Sequence, residues 1–315
     1  MNKLFKKGIL IMKHVREAIQ YDCDDTLHGG IDGKGVTVAV LDTGITNHPD
    51  LDGRIAAFGD MVSGKKIMYD DNSHGTHVAG IIAGSGKMSS GFYRGIAPGC
   101  RIVAIKVLDK RGEGKIRDLI DGIRAVLNYQ ERWGIRIVNI SIGTLPHEGD
   151  TEEAELLRWV ERMWDAGLVV ITAAGNYGPG RGTVTIPGIS PKVITVGASD
   201  DGELRDRNGK IGKNYSGRGP TKDCVCKPDI VAPGSYVTSC NGWCGLKNHK
   251  MYSVKSGTSM AAPIVSGAAA LLLCKYPDMS NVEVKIRMME RADDTGKSRH
   301  VQGRGILNIK KLLDR

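Results

Sequence analysis

Short apolar runs rich in β-branched residues recur along the chain, at 36–41 (VTVAVL), 102–108, 135–142, 168–173 and 193–197. They are nearly continuous rather than alternating, which is the pattern of strands buried on both faces. Helical stretches lie between and after them, at 116–133, 151–166, 259–276 and 282–292, with Gly167 placed as a C-terminal stop. Parallel strands joined by crossover helices predict an α/β fold, a mostly parallel central sheet flanked by helices in three layers. In such sheets the functional groups gather at the carboxyl ends of the strands. Residues 1–22 stand apart as an N-terminal extension, with a short helix expected over 14–20, and 23–315 reads as one domain. Past Ala292 the chain turns polar before a last apolar run at 306–313.

The 315 residues are 41% hydrophobic and 25% charged, as in a soluble globular protein large enough to bury a core without staples. The 42 glycines form no repeat and point to tight turns and close backbone approaches. The net charge of +9 is spread over isolated residues and basic pairs such as Lys6-Lys7 and Lys310-Lys311, so a solvated basic surface is expected rather than a nucleic-acid partner. No run approaches the length of a membrane span, and the apolar run at 8–12 is too short for a signal peptide. A cytoplasmic location is expected, and the odd count of seven cysteines also argues against a full set of disulfides.

Three segments carry one reactive group each among small residues. Asp42, in Leu41-Asp42-Thr43-Gly44, closes a buried strand. An aspartic peptidase would need a second such carboxylate, and Asp294-Thr295-Gly296 lacks the flanking strand. His74 and His77 lie in NSHGTHVAG; their spacing of three, with no Glu between, is not that of a zinc peptidase helix, and His77 reads as a structural histidine. Ser259, in SGTSMAAP, opens a long apolar helix, where a serine is ordinarily a cap but where the helix dipole also favours a nucleophile.

Together these segments resemble the subtilisin-like (subtilase) serine peptidases, in the order Asp, His, Ser. The similarity runs from about residue 30 to 290 through VAVLDTGI, NSHGTHVAG, VLDKRGEGK, AAGN, SPKVITVGASD and GTSMAAP. RGIAP, SGRGP and KPDIVAPG are similar to the intracellular bacterial branch. The resemblance implies a serine endopeptidase acting on proteins or peptides, with Asp42, His74 and Ser259 as triad and Asn176 as oxyanion donor. It implies that Ser141, Ile142 and Gly143 pair with substrate backbone, that Ala173, Ala174 and Gly175 complete the primary specificity pocket, and that Thr185 lies at its floor under a modest apolar P1 residue. The competing class is a silent binding scaffold, against which the intact reactive groups weigh.

The pattern breaks in three places. Where relatives carry a calcium loop, residues 84–91 read GSGKMSSG, with a lysine and no carboxylate; Asp50 matches a family ligand without its partners, so no cofactor is expected, with calcium as the alternative. The same loop misses the P-loop pattern at both ends, which leaves a nucleotide site unsupported. Cys224, Cys226, Cys240 and Cys244 are open to free thiols, disulfides or zinc, although the C-x-C spacing is unusual for zinc. Residues 1–22 are expected to act as a short inhibitory or tethering extension.

Overall fold

The computed structural model describes residues 11–22, 26, 29–147, 149–202 and 213–314. Strands β1 (Thr37–Asp42), β2 (Ile55–Asp60), β3 (Arg101–Lys106), β4 (Ile135–Ile140), β5 (Val169–Ala173), β6 (Ile194–Ala198) and β7 (Ile230–Ala232) form one sheet in the order β2-β3-β1-β4-β5-β6-β7. Every neighbouring pair is parallel. Each residue of β1, β5, β6 and β7 is buried, as continuous apolar runs require. The runs beginning at 102 and 135 leave the sheet two residues before their apolar character ends, because Leu108, Ser141 and Ile142 turn into the cleft described below, while the Val107 amide still donates to the Asp42 carbonyl.

Helices α2 (His74–Ala83) and α5 (Thr258–Lys275) pack together on one face of the sheet, and α3 (Ile116–Trp133) and α4 (Thr151–Asp165) pack together on the other. Helix α5 is apolar on all sides, which suits a helix enclosed by protein. Although no uninterrupted apolar run is that long, this helix taken whole is by length and composition able to cross a bilayer, but 83% of it is buried inside the molecule. Helix α4 is capped by Asp150, whose side chain accepts from the Glu152 and Glu153 amides, and it ends two residues before Gly167, which takes φ +84°. Helix α6 (Asn281–Glu290) begins with a reciprocal Ser280–Glu283 capping box. A separate antiparallel hairpin, β8 (Val237–Cys240) and β9 (Tyr252–Lys255), covers α2. Helices α7 (Arg299–Gln302) and α8 (Ile309–Leu313) complete the chain.

The order of the strands reverses direction beside β1. Connections run outward to β2 and β3 on one side and onward from β4 on the other. The crevice outside the carboxyl ends of β1 and β4 is therefore the topological switch point, where α/β sheets place ligands.

The described part of the N-terminal segment is a layer of the domain rather than a detached arm. Helix α1 (Ile11–Ala18) starts three residues earlier than expected. Met12, Val15, Ile19 and Tyr21 are buried in the main core. Arg16 donates to the carbonyls of Gly91 and Arg94, Tyr21 Oη to that of Ile96, and the Ile309 amide to that of Ile19. Full burial stabilises each such side chain by about 1.5–3 kcal/mol. Deleting residues 1–21 should therefore lower the Tm markedly in a thermal melt; an unchanged Tm would show that this packing contributes nothing.

Candidate active site

Asp42 ends β1 almost fully buried, and its Oδ1 accepts from the Thr43 amide and from His74 Nδ1, both at 2.7 Å. His74 is the first residue of α2 and reaches Asp42 because backbone comes unusually close to backbone there. A Cβ at Gly75 would lie 2.2 Å from the Gly44 carbonyl, and one at Gly44 (φ +116°) would lie 2.2 Å from the carbonyl of Tyr69. Any side chain at either position would push the helix away from the strand.

The N-terminus of α2 is held by Asp70, not by its own N-cap. Ser73 has φ +75° and makes no side-chain cap; its Oγ donates to Asn241 Oδ1 and accepts from the Gly242 amide. Asp70 Oδ1 accepts from Thr43 Oγ1, the Asn72 amide and the Ser73 amide, while Oδ2 accepts from the amide and hydroxyl of Thr76. Thr43 Oγ1 in turn accepts from the Gly75 amide at 2.8 Å.

Burial opposes a charge on His74, but the Asp42 carboxylate beside it outweighs that and raises its pKa above the ordinary 6.5. His77 points the other way, into the hairpin, where Nε2 meets the Ser253 carbonyl at 3.1 Å. Burial and the nearby Lys255 and His74 charges push its pKa down to about 3, so it stays neutral, as a structural histidine does.

Ser259 lies in the first turn of α5, after Gly257 (φ +148°), and its Oγ donates to the Ser141 carbonyl at 2.8 Å. Asn176 follows β5, and its Oδ1 accepts from the amide (2.9 Å) and hydroxyl (3.1 Å) of Thr258. That fixes the carboxamide plane with Nδ2 turned toward Gly257, where an added Cβ would come within 3.2 Å of it. The Gly175 amide donates to Thr258 Oγ1 at 3.1 Å, tying the end of β5 to the start of α5.

These groups open onto one cleft of about 380 Å³ at the switch point, lined by His74, Ser141, Ile142, Gly143, Ala173, Gly175, Asn176 and Ser259 among others. Asp42 sits behind His74. Ala174 and Thr185 stand behind the wall, both fully buried. The Thr185 side chain fills the space that Cβ atoms at Gly143 and Gly175 would need, at 2.4 and 2.3 Å. The cleft is also lined by Asn72, Leu108, Arg111, Gly112, Tyr177 and Thr258, which the sequence reading did not assign to it. In the sequence VLDKRGEGK carries only a family signature, and what brings it to the same cleft as residues 141–143 is the strand order, with β3 and β4 on either side of β1. No described residue of 11–22 lines the cleft, so that part of the expected inhibitory extension does not block it.

A profile described as the subtilase family matches residues 33–305. The chain belongs to the subtilase family. It is 44% identical over 290 residues to serine protease AprX of Bacillus subtilis (strain 168), covering 88% of this chain and 65% of that relative. It is 32% identical over 283 residues to subtilisin DY of Bacillus licheniformis, covering 89% of this chain and 91% of that one. Among solved structures it resembles the S41 psychrophilic protease (TM-score 0.75, 30% identity, 88% and 92% of the two chains) and sphericase (TM-score 0.74, 30% identity, 88% and 92%).

In this subtilase Asp50 does not suit the calcium role its position suggests. Its Oδ1 accepts from the Met88 amide and Oδ2 from Tyr252 Oη, and its own carbonyl accepts from the Ser85 amide. Each carboxylate oxygen thus already has a proton donor, and the Ser85 and Met88 amides pin the 84–91 loop to Asp50 by hydrogen bonds alone. His48, Asp50 and Cys240 place ligand-type atoms within 4.8 Å of one another. However, His48 Nδ1 accepts from the Asp50 amide and Nε2 meets the Met251 carbonyl, which leaves no lone pair for a metal. Cys240 is buried in β8 with Cys244 near enough to act on its charge, whereas Cys226 is exposed beside Arg299 and His300, so the two thiol pairs lie in different surroundings. All six described cysteines are free.

Asp70→Ala should cost about 3–5 kcal/mol, as expected for breaking a buried charged network, and lower any activity further by loosening His74. A denaturation curve within 1 kcal/mol of wild type would refute that role. Asp50→Asn should lower the Tm equally in calcium and in chelator; a loss confined to calcium buffer would restore the ion to this site.

Proposed function

We propose that the chain is a serine endopeptidase that hydrolyses proteins or peptides through an acyl-enzyme, with Asp42, His74 and Ser259 as its triad. The observation that carries the reading is the Asp42–His74 hydrogen bond opening onto the same switch-point cleft as the Ser259 hydroxyl. Asp42 holds Nδ1 protonated, so the other ring nitrogen carries the lone pair that accepts a proton. Rotation about the Ser259 Cα–Cβ bond takes the hydroxyl from the Ser141 carbonyl to that nitrogen, a tightening common when a substrate arrives.

Ser259 Oγ then attacks the scissile carbonyl while its proton passes to His74. The oxyanion is met by Asn176 Nδ2 and the Ser259 amide. Collapse returns the proton to the leaving amine, and water repeats the sequence on the acyl-enzyme. The fixed Asn176 plane matters because a donor held in advance needs no reorganisation as charge develops.

Residues 141–143 accept the substrate as an added strand. Its P1 side chain, that of the residue donating the scissile carbonyl, enters between Gly143, Ala173 and Gly175. Thr185 backs the two glycines, so the pocket suits a modest apolar side chain. A protein or peptide substrate is the partner this site requires, and no step calls for a cofactor.

The first test is cleavage of an unstructured protein together with labelling by a serine-directed phosphonate. Both should vanish in Ser259→Ala, and a wild type that neither cleaves nor labels would favour a binding scaffold. Asn176→Ala should lower kcat about 100- to 1,000-fold with little change in KM. In wild type, kcat/KM should rise with pH as His74 loses its proton. Because Asp42 favours the protonated ring, the midpoint should lie above the free-imidazole value of about 6.5, and a midpoint at or below it would contradict the coupling.

A further inference from the structure

Across the cleft from Ser141–Gly143 lies the turn that carries Arg111. The turn is rigid by construction. Asp109 Oδ1 accepts from the amides of Arg111 (2.8 Å) and Glu113 (3.0 Å), the Asp109 amide donates to the Glu113 carbonyl, and the Gly112 amide donates to that of Asp109. Asn72 Nδ2 ties it to the segment before His74 through the Lys110 carbonyl at 3.1 Å. Backbone hydrogen bonds and the Arg111 charge hold the Asp109 carboxyl below its ordinary pKa, so it remains ionised while its Oδ1 serves the turn.

The Arg111 guanidinium itself has no hydrogen-bond or ion-pair partner among the described residues, and it lines the cleft beside Asn72 and His74. No carboxylate lines the cleft with it. A strand laid on residues 141–143 alternates its side chains. With P1 between Gly143, Ala173 and Gly175, the preceding side chain (P2) faces the opposite way, toward His74, Asn72 and Arg111.

We infer that Arg111 is a specificity-determining residue that selects an acidic side chain at P2. The inference rests on the peptidase reading above and deepens it. Arg111 is exposed and its charge already acts on Asp109, but it forms no ion pair at the edge of the cleft, so it attracts a carboxylate and repels a lysine there with the modest strength of a screened surface charge.

The test uses three peptides identical except for Glu, Gln or Lys at P2. Wild type should rank them Glu, Gln, Lys in kcat/KM, with about a three- to tenfold step between neighbours, the range for a partly exposed charge pair. The spread should shrink in about 1 M salt. Arg111→Gln should collapse the Glu-to-Lys ratio toward one, and Arg111→Glu should invert the order, a gain that a misfolded variant cannot imitate. Peptides cleaved by wild type without preference, or a ranking unchanged in both variants, would overturn the inference and leave the peptidase reading standing. Failure of wild type to cleave any of the three, together with no phosphonate labelling, would remove the peptidase reading itself.

Discussion

Five hydrogen bonds converge on the buried carboxylate of Asp70, from the loop after β1, from the turn before α2 and from the first turn of α2 itself. Taking a carboxylate out of water is costly, and only a complete shell of donors offsets that cost. The shell here consists of the groups that must be fixed if His74 is to meet Asp42. Two amides at the start of a helix, normally left to a cap or to water, become the solvent of the anion. The desolvation of Asp70 and the placement of His74 are therefore one event. Gly44 and Gly75 make it sterically possible by letting strand and helix touch.

Lys106 plays the complementary part from the sheet side. It is fully buried, stands opposite Asp42 in the β1–β3 register, and donates at 2.7 Å to Asp71 Oδ1 and to the carbonyls of Thr43 and Leu108. One ammonium thus joins the loop that follows Asp42 to the loop that leads to Arg111. On the opposite rim, Thr258 links Asn176 and Gly175 to the helix that carries Ser259. The cleft is shaped by buried polar contacts from both sides, while the apolar core supplies the platform on which they act.

This division explains what could be read in the residues alone. Strands such as β1 and β5 and helices such as α4 follow from runs whose hydrophobicity leaves no alternative. Strand β2 (IAAFGD) gives no such signal, because a half-exposed edge strand of mostly small residues has neither a continuous nor an alternating pattern. The β8–β9 hairpin is equally silent, because its strands are four residues each and a cysteine-bearing loop separates them. Asp42, His74, Asn176 and Ser259 stood out through their small-residue surroundings, a local signal. Asp70, Lys106 and Arg111 gave none, since a carboxylate that caps a helix and a lysine buried under a loop look like ordinary surface charges. Asp50 matched a calcium ligand by position, but its occupancy by the Met88 amide and Tyr252 Oη depends on residues 38 and 202 positions away.

The hydrogen bond from Ile309 to Ile19 has a consequence for how such a molecule comes into being. The residue that follows the first described helix is bonded to the first residue of the last helix, and Ile306 pairs with Val231 on the outer strand of the sheet. On the ribosome, therefore, the domain stays open at one side until residues past 309 have emerged. The cleft gains Ser259 only long after Asp42 and His74 have been made, and the layer that closes the fold comes later still. The order of the elements along the chain thus withholds a closed cleft until the segment around residue 309 has joined the fold.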